Sequence, residues 1–287
     1  MSAFPYRFKP RPAKHSFALS DELFYYNERP LAVNACQSGS EHVPELILCD
    51  VDGICACRLT LKNVDVFDQK PVLDHLPTAK ENGLPSSTLV FTLEDTARAL
   101  EVRLYYSLFE DSSVLMMHTE ITNSGLQPIQ VERCLSSITL PHGHWTAEVY
   151  TNTHQREVKK QKIVLSTSSM ILEGRKGALP AFVIKNPSLG EYGFALGFSS
   201  FFAAVLEQDS YGLTRILLGA DIREVLEPGQ TLASPEVYCA YDSNNVSPVF
   251  HDFFRTWSGN PRPFNDRDES DWCIKMHYWM LYLFYFI

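Results

Sequence analysis

Leu100-Glu101-Val102-Arg103-Leu104-Tyr105-Tyr106-Ser107-Leu108 is followed, after a short polar connection, by Leu115-Met116-Met117-His118-Thr119-Glu120-Ile121. In the first run Leu100, Val102, Leu104, Tyr106 and Leu108 alternate with Glu101, Arg103, Tyr105 and Ser107. In the second, Leu115, Met117, Thr119 and Ile121 face one way while Met116, His118 and Glu120 face the other. A period of two marks a strand with one face on a core. Glu110-Asp111-Ser112-Ser113 supplies a tight polar turn between the runs. Together they predict an antiparallel hairpin, with residues 89–93 as a third neighbouring strand.

The same patterning extends outward. A turn at Asn123-Ser124-Gly125 leads into a strand over residues 129–135, and further strands are expected at 54–61, 181–184, 194–198, 201–207, 215–218 and 237–241. Asp52-Gly53, Asn186-Pro187, Ser210-Tyr211-Gly212 and Pro228-Gly229 punctuate them as turns. Many short strands with few helical patterns imply a sandwich or barrel rather than alternating strands and helices. One segment has the other period: Val246, Val249, Phe250, Phe253, Phe254 and Trp257 form an apolar stripe at helical spacing. Ser247 is expected as its N-cap, Pro248 as its first residue and Gly259 as its stop.

Composition narrows the function classes. Hydrophobic residues make up 45% of the chain and aromatic residues 12%, which suits half-buried strands. A net charge of −9 argues against nucleic acid as a partner, since that affinity comes from Lys and Arg on phosphates. Arg7, Lys9, Arg11 and Lys14 are interleaved with Pro5, Pro10 and Pro12 and read as an extended, solvated N-terminal arm. No apolar run of secretory type follows Met1, so a cytoplasmic location is expected. Seven cysteines without framework spacing fit reduced thiols in that compartment. Cys55 with Cys57, and His142 with His144, would share a strand face, yet neither pair has further ligands at zinc spacing. Buried thiols and a loop histidine pair are the expectation, with no metal and no organic cofactor.

No glycine-rich phosphate loop, nucleophile elbow or zinc-binding His pair occurs. The acidic pairs Glu110-Asp111 and Asp266 with Asp268 lie on turns, where solvation accounts for them. No residue is assigned a catalytic or substrate-binding role from spacing alone.

The order of several segments nevertheless resembles the N-terminal domain of glycoside hydrolase family thirty-six α-galactosidases. Tyr106-Ser107-Leu108-Phe109-Glu110-Asp111 looks like that family's strand and turn, followed by Thr122-Asn123-Ser124-Gly125, Val131-Glu132-Arg133 and Leu135-Ser136. Tyr192-Gly193-Phe194-Ala195-Leu196-Gly197-Phe198-Ser199 is similar to its glycine-strand-serine segment, and Glu207 with Asp209 follow at its Glu-x-Asp spacing. Then come Leu226-Glu227-Pro228-Gly229-Gln230, Ser234-Pro235-Glu236-Val237 and Phe250-His251-Asp252-Phe253, in the family's order. The resemblance covers residues 17–257. It implies an all-β fold, a large two-sheet antiparallel supersandwich with one C-terminal connector helix leading toward a (β/α)₈ barrel.

In the whole enzyme the resemblance implies retaining hydrolysis of terminal α-galactosides such as melibiose and raffinose by two barrel aspartates. The barrel's Asn-x-Trp-Glu, Asp-Asp-Gly-Trp, Lys-Trp-Asp and Ser-Asp motifs do not occur in this sequence, so no catalytic residue is carried over. The domain also lends a loop acid to the sugar pocket in that family, which Asp50, Asp52, Asp65 and Asp68 leave unassigned. The expected organisation is an arm over 1–16, the supersandwich over 17–243, the connector over 244–258 and an apolar tail over 259–287. That tail, with ten uncharged residues from Tyr278 to Ile287, is too short for a membrane helix of roughly 17 residues or more. It reads as an aberrant gene end, a remnant barrel strand or an anchor. A structural and subunit-contact role is expected, inactive alone, with self-association through the helix and tail. The alternative is a stand-alone carbohydrate-binding sandwich, for which Trp145 and Tyr150 are candidate ring platforms, although a core or loop place suits each as well.

Overall fold

The computed structural model describes residues 17–20, 23–26, 29–31, 45–50, 53–55, 57, 59–73, 76–79, 85–110, 112–152, 158–167, 169–197, 201–208 and 213–257. The chain begins with β1 (Phe17–Ser20), β2 (Leu23–Tyr26), β3 (Arg29–Leu31), β4 (Leu46–Asp50), β5 (Gly53–Cys55) and β6 (Thr60–Phe67). The longest strands follow: β7 (Ser86–Asp95), β8 (Leu100–Phe109), β9 (Val114–Asn123) and β10 (Ile129–Leu140). Next are β11 (Thr146–Asn152), β12 (Val158–Val164), β13 (Met170–Glu173), β14 (Ala178–Asn186) and β15 (Gly190–Leu196). The series ends with β16 (Phe202–Gln208), β17 (Thr214–Ala220), β18 (Glu224–Leu226), β19 (Thr231–Ala233), β20 (Val237–Asp242) and helix α1 (Ser247–Trp257).

These strands pair antiparallel in three sheets. A ten-stranded sheet has the order β12-β11-β14-β15-β20-β9-β8-β7-β6, with β19 also on β9. A seven-stranded sheet has the order β13-β16-β17-β10-β4-β5, with β18 also on β10. The strands β1, β2 and β3 form the third. The predicted hairpin is β8 with β9, in the register Leu100↔Asn123, Val102↔Ile121, Leu104↔Thr119 and Tyr106↔Met117. Those pairs share one face, and Val102, Ile121, Tyr106 and Met117 are all buried.

Between the two large sheets lies the main core. Leu89, Phe91, Tyr106, Leu115, Met117, Phe182, Ile184, Phe194 and Leu196 from the ten-stranded sheet meet Ile138, Leu140, Phe202, Leu206, Ile216 and Leu218 from the other. A second cluster lies on the opposite face of the ten-stranded sheet: Val114, Met116, Ala181, Val183, Ala195, Tyr238 and Ala240. These are the in-between residues of the same strands, so the middle of this sheet is apolar on both sides. The sheet's outer face is covered by α1 through Val246, Phe250, Phe253 and Phe254. Helix and sheet approach closely because the strand residues beneath are small. A Cβ on Gly193 would sit 2.2 Å from Phe250 Cε2, so the absent side chain is what seats the ring.

Three sequence expectations need correction. The run at 54–61 is not one strand: β5 ends at Cys55 and β6 begins at Thr60, because the pairing partner changes from β4 in one sheet to β7 in the other. The helix is capped one residue earlier than expected, since the Val246 carbonyl already accepts the Phe250 N–H at 3.3 Å. The exposed first turn finds acceptors that permit this: Asn245 Oδ1 takes the Ser247 N–H at 3.1 Å and Glu191 Oε2 takes the Val246 N–H at 3.3 Å. Pro248 then occupies the second helical position, where an N–H would still lack an intrahelical partner. Third, the short strands β1 to β4, β18 and β19 and the run β11 to β13 had no counterpart among the expected strands. Gly259, the expected stop, lies outside the described residues.

Asn123 ties the β9 end to its neighbours. Its side chain donates to the carbonyls of Gln127 at 2.8 Å and Leu226 at 2.9 Å and accepts from Gly125 N–H at 3.0 Å. The turn read from Asn123-Ser124-Gly125 is therefore also a cross-link to β18.

Overpacking the helix seat tests this architecture. Gly193→Val should destabilise the chain by about 1–3 kcal/mol in urea unfolding. Adding Phe250→Leu should recover part of that loss in a double-mutant cycle, as for residues in direct contact. Strict additivity of the two changes would show that the helix does not rest on Gly193.

Candidate functional site

The covered face of the ten-stranded sheet holds the most elaborate polar arrangement among the described residues. Residues 68–73 and 76–79 run beside α1 over this face and bring in Lys70, Thr78 and Ala79. Lys70 Nζ pairs with Glu236 Oε1, and the two side chains are 2% and 0% exposed. Thr78 Oγ1 donates to Glu236 Oε1 at 2.8 Å, the Ala79 N–H donates to Oε2 at 2.9 Å, and Tyr238 Oη donates to Oε2 at 2.8 Å. Lys70 also donates to Thr78 Oγ1 at 2.5 Å and to the Pro71 carbonyl at 3.3 Å. A buried charge is tolerated only when paired and hydrogen-bonded, and this carboxylate meets that condition at both oxygens. Glu236 belongs to the Ser234-Pro235-Glu236-Val237 segment singled out in the sequence.

His118 lies close by, buried and stacked on Tyr105 with ring centroids 4.2 Å apart. Its Nε2 has no hydrogen-bond partner among the described residues. Burial, helped by the Lys70 charge, lowers its pKa to about 3. Tyr105 Oη donates to Glu120 Oε2 at 2.6 Å. Burial and that carboxylate push the Tyr105 phenol up to about 12.

At the other end of the helix seat, charges cross the outer face of β11, β12, β14 and β15. Glu148 Oε2 meets Lys160 at 2.7 Å and Lys185 at 3.1 Å, and Lys185 continues to Glu191 at 2.9 Å. Burial alone would raise Glu148, but its hydrogen bonds to the two lysines outweigh that and hold it below the usual carboxylate range. Lys185 is likewise raised because Glu191 and Glu148 overcome its desolvation. Glu191 then accepts from the helix N-terminus, so this network orients α1.

The other sequence candidates are dispersed. Trp145 and Tyr150 are 0% and 3% exposed, Trp145 donating to the Pro141 carbonyl at 2.9 Å. Burial places both in the core, and neither offers a ring to a sugar. His142 and His144 lie on an exposed loop between β10 and β11, and Cys57 is buried. Asp65 takes both its contacts from Asn63 Nδ2, at 2.9 Å each, and Asp68 is exposed. Asp52, Asp111, Asp209, Asp266, Asp268 and the tail over 259–287 lie outside the described residues, as do the side chains of Asp50, Cys55 and Trp257. Glu207 pairs with Arg215 at 2.7 Å, and Arg215 also pairs with Glu45. These two buried acids are clamped on one guanidinium rather than set across a cleft. A neighbouring cavity, lined by Glu45, Tyr106, Thr119 and Ser137, has a volume of ≈ 20 Å³, enough for about one water and far too little for a sugar. The sequence singled out Glu236 without giving it a role. Lys70 and Thr78 carried no pattern that could have found them.

The comparisons with known proteins place the fold in a family. Residues 6–229 match the family model described as the glycosyl hydrolase family 36 N-terminal domain. The chain belongs to this family. Among curated relatives, the α-galactosidase AgaA of Geobacillus stearothermophilus is 30% identical over 223 residues, which is 71% of this chain and 31% of that protein. A probable α-galactosidase G of Aspergillus terreus is 29% identical over 239 residues, 76% of this chain and 32% of the relative. This family 36 domain thus spans about a third of the length of the curated relatives it matches. The crystal structure of the Geobacillus enzyme superposes with a TM-score of 0.76 at 21% identity, covering 88% of this chain and 43% of that one. The Lactobacillus brevis α-galactosidase gives 0.75 at 19%, covering 88% and 42%. These superpositions show the two-sheet sandwich fold.

What this family 36 domain offers chemically is placement. The Lys70–Glu236 pair fixes residues 68–79, and the Glu148-to-Glu191 network fixes the helix, on the same sheet face. Removing one member of the buried pair should be costly. Glu236→Gln is expected to lose about 3–5 kcal/mol in urea unfolding by leaving Lys70 buried and unpaired, whereas Lys70→Met with Glu236→Gln should lose less than the sum of the two single variants. Strict additivity of the two changes would refute the pairing.

The depressed histidine makes a separate forecast. His118 is lowered in the fold from 6.5 to about 3, so the unfolded chain binds more protons between those values. Its contribution is whole above pH 6.5 and lost as pH falls toward 3, by up to about 1.4 kcal/mol per pH unit. His118→Gln should flatten that part of the stability profile, read by denaturant titration at each pH. An unchanged slope would show that His118 is not the group responsible.

Proposed function

We propose that this chain is the non-catalytic sandwich domain of an α-galactosidase-type glycoside hydrolase. In this reading its role is to support the catalytic part of such an enzyme, and hydrolysis of terminal α-galactosides belongs to the whole enzyme. The observation that carries the reading is the family match over residues 6–229, with the helix Ser247–Trp257 seated on the sheet after two further strands. Related structures support the substrate class, since variants of the Geobacillus enzyme form crystalline complexes with stachyose and with raffinose. The described acids support a non-catalytic role for the domain: the buried ones, Glu45, Asp95, Glu148, Glu207 and Glu236, are each held by Lys or Arg rather than facing open space. A cytoplasmic site of action fits Cys49, Cys57, Cys134 and Cys239, which form no disulfide. Self-association belongs to the proposal as well. The seated Phe250, Phe253 and Phe254 argue against the helix face as the contact.

The chain alone should give no turnover of a chromogenic α-galactoside above the uncatalysed rate, and a chimera should restore it. In the chimera, residues 6–257 replace the matching part of the Geobacillus enzyme. It is expected to be soluble and to hydrolyse the same substrate. Activity of the lone chain that survives repurification, or an inactive chimera, would overturn the reading. Calorimetric titration of the chain with raffinose should show no heat of binding. Micromolar affinity there would favour a stand-alone carbohydrate-binding module.

A further inference from the structure

The ten-stranded sheet has two edges of opposite character, β12 and β6. An open edge presents unpaired backbone groups to any other strand, and lysines on it discourage such pairing. Strand β12 carries Lys159, Lys160 and Lys162 on exposed positions. Pairing two copies of β12 antiparallel about Gln161 would set Lys160 against the Lys162 of the other copy, twice, and like charges directly opposite are unfavourable. That edge is guarded.

Strand β6 is different. Leu61 is 51% exposed, Val66 44% and Phe67 51%, and no strand pairs with its outer side among the described residues. Its single lysine, Lys62, turns back onto the sheet and pairs with Glu94 at 3.3 Å and Glu101 at 3.5 Å. The register on β7 is Leu61↔Leu93, then Asn63↔Thr92, Val64↔Phe91, Asp65↔Val90 and Val66↔Leu89, with a bulge between Leu61 and Asn63 that leaves Lys62 as the extra residue. Leu61, Val64 and Val66 therefore share the face of the core residues Leu89, Phe91 and Leu93. Thr60, Asn63, Asp65 and Phe67 share the other face.

This pattern is self-complementary. Antiparallel pairing of two β6 strands about a two-fold axis at Val64 sets Val64 on Val64, Asn63 on Asp65, and, past the bulge, Leu61 on Val66 and Thr60 on Phe67. Every pair lies on one face in both copies. Each core-side pair is apolar, and the amide of Asn63 meets a carboxylate. A two-fold contact requires such a self-matching patch.

We propose that β6 is a homodimer edge, on which a second copy of this chain adds its own β6 to continue the ten-stranded sheet across the two-fold axis. The occupant is another copy because the residues on the edge are complementary to themselves. This inference concerns an interface and stands whether or not the hydrolase reading above holds.

Sedimentation equilibrium on the full chain tests it, alongside the single variants Val66→Lys and Leu61→Lys. Both positions are about half exposed, so each variant is expected to keep the wild-type circular dichroism spectrum. The wild type should reach a dimer as concentration rises, and each variant should raise the dissociation constant at least about tenfold. Lys159→Arg, which keeps the charge on the guarded edge, should leave the constant unchanged. Hydrogen exchange supplies a readout that does not depend on variants: amides of residues 60–67 should exchange more slowly in the concentrated wild type than in the dilute one. A chain monomeric at every concentration, or a dimer untouched by both lysine variants with no protection of 60–67, would overturn the proposal.

Discussion

A sheet that is apolar on both faces cannot stand with one side in water. In the ten-stranded sheet Leu115 and Met117 point toward the other sheet while Val114 and Met116 point away, and all four are buried. Phe182 and Phe194 repeat this with Ala181 and Ala195. Most antiparallel sandwiches leave their outer faces polar and wet, so this one requires a third layer. The helix is that layer, and the small residues Ala181, Gly193, Ala195 and Ala240 are the recess it fits. The order of events along the chain follows from this need: strands first, then the one amphipathic helix immediately after β20, close to the recess it covers.

The same requirement explains why charge is buried where it is. Covering the outer face beyond the reach of an eleven-residue helix falls to residues 68–73 and 76–79, which form no regular strand. Such a segment brings polar backbone to an apolar surface and needs partners there. Glu236 supplies them, accepting from the Ala79 N–H and Thr78 while Lys70 neutralises it. Hydrophobic residues of like volume at Lys70 and Glu236 could pack as well, yet they would not fix which part of the segment meets which strand. The pair is therefore better understood as setting register than as adding stability.

How far the sequence revealed this depends on how strongly each element repeats. Strands β7 to β10 and β14 to β17 were legible because their core-facing residues recur at every second position over long runs. The helix was legible from six apolar residues at helical spacing. Strands β11 to β13 were not, for identifiable reasons. In β12 nearly every side chain is exposed, so no apolar alternation exists to be read. In β11, Ala147, Glu148, Val149 and Tyr150 are all buried, because the outer face there is covered too, and alternation disappears when both faces are dry. The break between β5 and β6 was invisible because a change of sheet leaves no mark in hydropathy. The covered site was only half visible: the Pro-Glu segment around Glu236 stood out, whereas a lysine 166 positions earlier (236 − 70) gives no local signal.

The two-sided burial also bears on the choice between a supporting domain and a free sugar-binding module. A sandwich that binds sugars on its own needs an open face or groove with aromatic rings accessible to the pyranose. Here the face that such a module would leave open is occupied by the helix, and the aromatic residues over it, Tyr238, Phe250, Phe253 and Phe254, pack on one another at centroid distances of 5.2–5.8 Å. Trp145 and Tyr150 are buried with them in the interior clusters. Among the described residues the remaining exposed aromatics are isolated: Phe67 on the β6 edge, and Phe201, whose ring face is already taken by the Arg175 guanidinium at 4.5 Å. The rings of the outer layer are thus engaged within the molecule itself, which leaves that face without the open aromatic platform a free sugar-binding module needs.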